Sequence, residues 1–147
     1  MFTVKGMAEL NKNLERFSAK VIDEIDEAVL ATALSIEKET MLTIREPSMG
    51  TYVKRYTASG KPYDHVAAKE GESPNTDTGR LIGSLSTDHK KGQGMAYVGT
   101  NLEYGFFLET VQNRPFLKPS MAKKIKGFDK NIQKAIKEQI KKTKVKK

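Results

Sequence analysis

Few residues in this chain have the type and spacing that chemistry needs, and each has a structural explanation beside the chemical one. His65 and His89 are the only imidazoles among 147 residues. No His-x-x-His or His-Glu-x-x-His spacing joins them, so both read as strand or surface histidines rather than metal ligands. The run Asp23, Glu24, Asp26, Glu27 supplies carboxylates of the sort that general acid–base work uses. At those spacings Asp23 and Glu27 are neighbours on one helix face, and the expectation is a solvated face. Gly92-x-Gly94 lacks the third glycine and the helix start of a dinucleotide loop, and no Gly-Lys-Ser/Thr phosphate loop occurs, leaving turn glycines. Cysteine is absent, which removes disulfides, thiolate metal sites and thiol nucleophiles together. The expectation is a protein that is not an enzyme and holds no cofactor or metal.

The strong signal is electrostatic. The formal net charge is +8, and its placement matters more than its size. Eleven lysines against Asp129 and Glu138 lie between Lys123 and Lys147, while the preceding residues hold fifteen bases against sixteen acids. Lys123, Lys124, Lys126 and Lys130 are the candidates for contact with DNA or an acidic partner, since neutralising phosphates releases counterions without regard to base sequence. Phe128 is the sole aromatic residue there, so stacking on single strands is not expected. A plain solvated helix accounts for the same lysines.

These residues need elements to position them. From Met7, apolar residues fall at Leu10, Leu14, Phe17, Val21, Ile25, Ala28 and Thr32, then at Leu34, Ile36 and Met41. That spacing predicts a helix to about Ile44, stopped by Pro47. Such a helix is roughly 55 Å long, more than a small core can cover, so it bends or packs on another chain. A short strand is predicted at Phe2-Thr3-Val4.

Residues 47–76, rich in Gly, Pro, Ser, Thr and Tyr, predict an arm. Within it Tyr52–Tyr56 and Tyr63–Val66 flank Ser59-Gly60 as an extended hairpin. Ser84–His89 and Met95–Gly99 form a second antiparallel pair around a glycine turn. A short helix follows over about Leu102 to Glu109, then an extended Arg114-Pro115-Phe116-Leu117. Pro119 opens a last helix whose apolar residues run from Met121 to Ile140. Residues 141–147 are too lysine-rich to hold an order of their own. The sum is an α+β chain of one domain over 1–140, with a long N-terminal helix, a small antiparallel sheet with an extended hairpin arm, and a C-terminal amphipathic helix. No apolar stretch approaches the ~18 residues of a membrane span, so a soluble protein without export is expected.

Between Gly50 and Ser120 the pattern becomes more specific. Gly50-Thr51-Tyr52-x-x-Arg55 is followed by Gly71-Glu72-Ser73-Pro74-x-x-Asp77-Thr78-Gly79-Arg80-Leu81 with Ser84-Leu85 after it. Val98-Gly99-Thr100, Tyr104-x-x-x-Leu108-Glu109 and Arg114-Pro115-Phe116-Leu117-x-Pro119 complete the series. In order and spacing these pieces resemble the phage tail-completion family, the minor tail or head–tail joining proteins of siphophages. One departure is that many relatives have Gly-Thr after the tyrosine-leucine-glutamate piece, where this chain has Thr110-Val111-Gln112-Asn113.

The resemblance implies a structural virion protein at the neck, commonly a sixfold ring around the DNA channel, made in the host cytoplasm and meeting the tail tube, tail terminator or head connector. On that reading Tyr52, Arg55, Tyr56, Tyr63, Glu109 and Arg114 are candidates for subunit contact. Asp77, Thr78, Gly79, Leu81, Tyr104, Leu108, Pro115 and Phe116 are structural. Asp77 or Thr78 is expected to satisfy backbone donors in a turn before Leu81 enters the core. Tyr104, Phe107 and Leu108 are expected under the sheet, and Glu109 with Arg114 as a charged pair within or between subunits. The competing expectation is a small basic cytoplasmic nucleic-acid-binding protein working through the last helix.

Overall fold

The computed structural model describes residues 7–46 and 48–144; the strand predicted at residues 2–4 and the stop at Pro47 lie outside them. The fold is α+β. A long helix α1 (Met7–Arg45) leads to a hairpin β1 (Thr51–Tyr56) and β2 (Pro62–Ala67). A one-turn helix α2 (Arg80–Ser84) enters a second hairpin, β3 (Leu85–Lys90) and β4 (Met95–Thr100). Next come α3 (Glu103–Phe106), a π-helical turn (Phe107–Val111), α4 (Leu117–Ile125) and α5 (Phe128–Lys144).

Both hairpins are antiparallel and form separate two-stranded sheets, with Arg55 opposite Tyr63 in one and His89 opposite Ala96 in the other. The expected strand pairs are therefore both present. Gly60 (φ 76°), Gly92 (φ 76°) and Gly94 (φ 61°) supply the left-handed backbone that their turns demand.

Helix α1 is the spine on which β3, β4, α4 and α5 pack. Its buried positions are Asp26, Ala33, Ile36, Thr40 and Ile44, a three-to-four spacing along one face. Leu14, Ile22, Leu34 and Leu42, all apolar, point out of that face and stay exposed. Between Asn11 and Lys20 only Phe17 is even half-buried, so that stretch of the helix is largely uncovered. The core proper gathers Ile44, Leu81, Leu85 and Phe116, with Met41, Ile82, Leu108 and Leu117 against it.

Three sequence expectations change. The last helix is two helices, α4 and α5, separated at Lys126-Gly127, where a glycine weakens helical continuity. Pro119 is the third residue of α4 rather than the first; the N–H it lacks is still one of those that no helix bonds internally. Helix α5 continues to Lys144 instead of fraying after Ile140, because Gln139 and Lys142 reach Glu24 on α1; residues 145–147 lie outside the described residues.

Candidate functional site

Two neighbouring features gather most of the motif residues: the hairpin β1–β2 and the cleft at its base. The hairpin is exposed along most of its length. Tyr52 and Tyr56 are 79% and 68% exposed, with Met49 at 86% just before the strand. Asn75 clamps the base, accepting from the Ser48 N–H at 2.7 Å and donating to the Val66 carbonyl at 2.7 Å. Gly50 is obligatory there, since a Cβ would fall 1.9 Å from the Ala67 carbonyl oxygen.

Asp77 ties the hairpin to the body. Its carboxylate accepts from the Tyr63 hydroxyl at 2.8 Å and lies 3.4 Å from Arg55 and 3.8 Å from His65. The bond to Asp77 holds the Tyr63 phenol above its ordinary pKa, with burial and the carboxylate's charge acting in the same direction. This corrects the sequence reading, in which Asp77 or Thr78 bonded backbone donors: α2 has no side-chain cap, and Gly79 starts it in the left-handed region at φ 75°. Leu81 does enter the core, at 7% exposure.

On the far side of the cleft, α3 and the π-turn run from Glu103 to Val111 and end at Asn113, whose φ of 48° is left-handed. The Asn113 carbonyl accepts from the Gly71 N–H at 2.6 Å, joining this turn to the loop after β2. Asparagine takes the left-handed position at the end of Thr110-Val111-Gln112-Asn113. Tyr104 and Phe107 are exposed, contrary to expectation; Gly105 is the residue packed inward, against Thr100, Leu81 and Phe116. Leu108 packs on the core as expected, and Phe116 is buried beside half-buried Pro115.

Glu109 and Arg114 do not pair within the chain. The Glu109 carboxylate instead accepts three backbone N–H groups at the start of α4, from Phe116 at 2.8 Å, Leu117 at 3.1 Å and Lys118 at 2.9 Å. Arg114 donates from one terminal nitrogen to Gln112 at 3.3 Å.

Asp23 and Glu27 are exposed, as expected, but other acids of α1 face basic and polar groups from elsewhere. Glu39 holds Lys123 and Lys124, the latter at 2.9 Å. Those two lysines are thereby engaged inside the molecule, and their bonds keep the Glu39 carboxyl below its usual range against the opposing effect of burial. Lys126 and Lys130 remain exposed. Asp26 is not part of a solvated acidic face. It is 6% exposed, accepts the Gly94 N–H at 3.1 Å and lies 3.1 Å from His89 Nε2. The Gly92 N–H, then the Gly94 N–H and the adjacent His89 imidazole, hold its carboxyl below the ordinary value, while burial pushes the other way.

On α5, Lys130, Lys134, Lys137 and Lys141 recur at four, three and four residues and are all exposed, which makes a stripe opposite the buried Ala135 and Gln139. Among the described residues no cluster of three or more metal-ligating side chains occurs, and no helix is long and apolar enough to cross a membrane. No family model, curated protein or solved structure matches the chain.

Proposed function

We propose that this protein is a structural subunit of a phage particle that assembles into a ring, with six copies as the expected number, at the head–tail junction. The observation that carries the reading is the apolar surface left uncovered on two projecting elements. Tyr52 and Tyr56 stand out on the hairpin, and Leu14 and Ile22, 55% and 50% exposed, on the N-terminal half of α1. Apolar exposure on projecting elements suits contacts between protein chains. An arm and a helix that leave the body in different places suit head-to-tail contacts, which close into a ring when the rotation permits. The motif series from Gly50 to Ser120, similar to that of tail-completion proteins, supports the placement, with tail tube, tail terminator or head connector as neighbours.

Immunogold electron microscopy of purified particles tests it. Label at the neck is the expected result, and particles that lack the protein, or form normally without it, overturn the reading. For the isolated chain, light scattering at rising concentration should show an oligomer that Tyr52→Ser with Tyr56→Ser returns to monomer.

A second reading is favoured by one observation, the lysine stripe of α5. It offers four cations over about 16 Å of helix, suited to a phosphate backbone. A stand-alone nucleic-acid-binding protein would bind duplex DNA as a monomer and be missing from particles.

A further inference from the structure

We propose that the cleft at the base of the hairpin is a binding site for a carboxylate presented by a protein partner. The cleft encloses about 470 Å³ and is bounded by the hairpin base, the turn at Asp77–Gly79 and the π-turn. Its lining includes Arg55, Arg80, Arg114 and His65, with one acid, Asp77. Asp77 is already taken by Tyr63, Arg55 and His65. Arg80 and Arg114 have no acidic partner among the described residues. Arg114 goes further: its Nε is buried and has no acceptor, while its terminal nitrogen is held by Gln112. A guanidinium N–H withheld from water without an acceptor is unfavourable, and a turn of the Arg114 side chain that presents it to an entering oxyanion relieves it with a charge-assisted bond.

The shape selects the oxyanion. Buried Ile44 and Leu81 line the cleft, and no lysine does. An arginine fork over an apolar floor matches a planar carboxylate, which takes two parallel N–H bonds and brings a short apolar stem with it. A duplex backbone spreads its phosphates over a convex surface and fits an open basic stripe such as that of α5. Tyr104, 41% exposed where it meets the cleft, offers apolar cover to a residue beside the acid. The site is independent of ring formation, because it needs only that an acidic side chain enters.

The test uses the full chain, isotopically labelled, with the arginine Nε–H signals followed by NMR while N-acetylglutamate is added. Sodium chloride at matched ionic strength is the control and inorganic phosphate the competing probe. The expected result is a saturable shift of the Arg114 and Arg80 signals with N-acetylglutamate, reached at lower concentration than with phosphate, and an affinity about tenfold weaker in Arg114→Gln. Arg80→Gln, at an exposed position, should weaken binding as well and keeps the test decisive if the Arg114 variant does not fold. A shift no different from that in chloride, tighter binding of phosphate than of N-acetylglutamate, or unchanged affinity in the folded variants overturns the proposal.

Discussion

Glu109 does the work of a helix cap from a distance of several residues. The first N–H groups of any helix lack internal partners, and α4 brings no capping side chain of its own. Glu109 accepts from Phe116, Leu117 and Lys118, and the next residue, Pro119, has no N–H to satisfy. A carboxylate there also meets the positive end of the helix dipole. Glu109→Ala should therefore lower stability by about 1–2 kcal/mol in urea unfolding, with Glu109→Gln losing less. Asp26 makes a prediction in pH. Its folded pKa lies below the ordinary value, chiefly through the Gly92 N–H. The stability that ionised Asp26 contributes is complete above the unfolded pKa and is lost as pH falls through the lower folded one. Thermal midpoints measured from neutral to strongly acidic pH should fall on the acid side, and less steeply in Asp26→Asn.

At the scale of elements, the join between β4 and α3 depends on Gly105. A Cβ there would lie 2.6 Å from Thr100 Cγ2 and 3.5 Å from Leu81 Cδ1. Thr100 has little room to yield, because its hydroxyl is paired with Ser84 at 2.6 Å and accepts from the Leu102 N–H at 3.1 Å. Gly105→Ala should destabilise by about 1–3 kcal/mol through overpacking, seen as a lower denaturation midpoint with the unfolding slope unchanged. Tyr104, Phe107 and Leu108 were all expected to face inward, and of the three only Leu108 packs on the core. Helical spacing alone cannot decide which side of a one-turn element faces a core, and the π-turn that follows rotates Phe107 outward. The two hairpins were legible because alternating residues and glycine turns act locally, whereas the Lys126-Gly127 break was not, since lysine and apolar residues continue the same pattern across it.

At the scale of the molecule, charge is complementary within the chain before it is available to a partner. Glu24 and Glu39 on α1 engage Lys142 on α5 and Lys123 and Lys124 on α4. Lys126 and the α5 stripe are consequently the basic surface open to a partner, while Lys123 and Lys124 are already paired with Glu39. If the stripe meets DNA, each phosphate contact contributes about 0.9 to the slope of log affinity against log salt concentration. Replacing Lys130, Lys134, Lys137 and Lys141 by Gln should flatten that slope by about three to four, and Lys123→Gln with Lys124→Gln should change it little while lowering stability. Fluorescence titration of labelled duplex DNA at several salt concentrations measures both.

By itself the sequence determined the α+β composition, the length of α1, the two hairpins and the amphipathic character of the C-terminal segment, since each follows from the spacing of neighbours along the chain. Tertiary structure alone decided which polar groups meet. Asp26 and Gly94 are 68 residues apart, and Lys123 and Glu39 are 84 apart. The cleft draws Arg55 from β1, Arg80 from α2 and Arg114 from the segment before α4. Pairings of that kind depend on how whole elements dock, and side-chain order along one strand or helix holds no record of it.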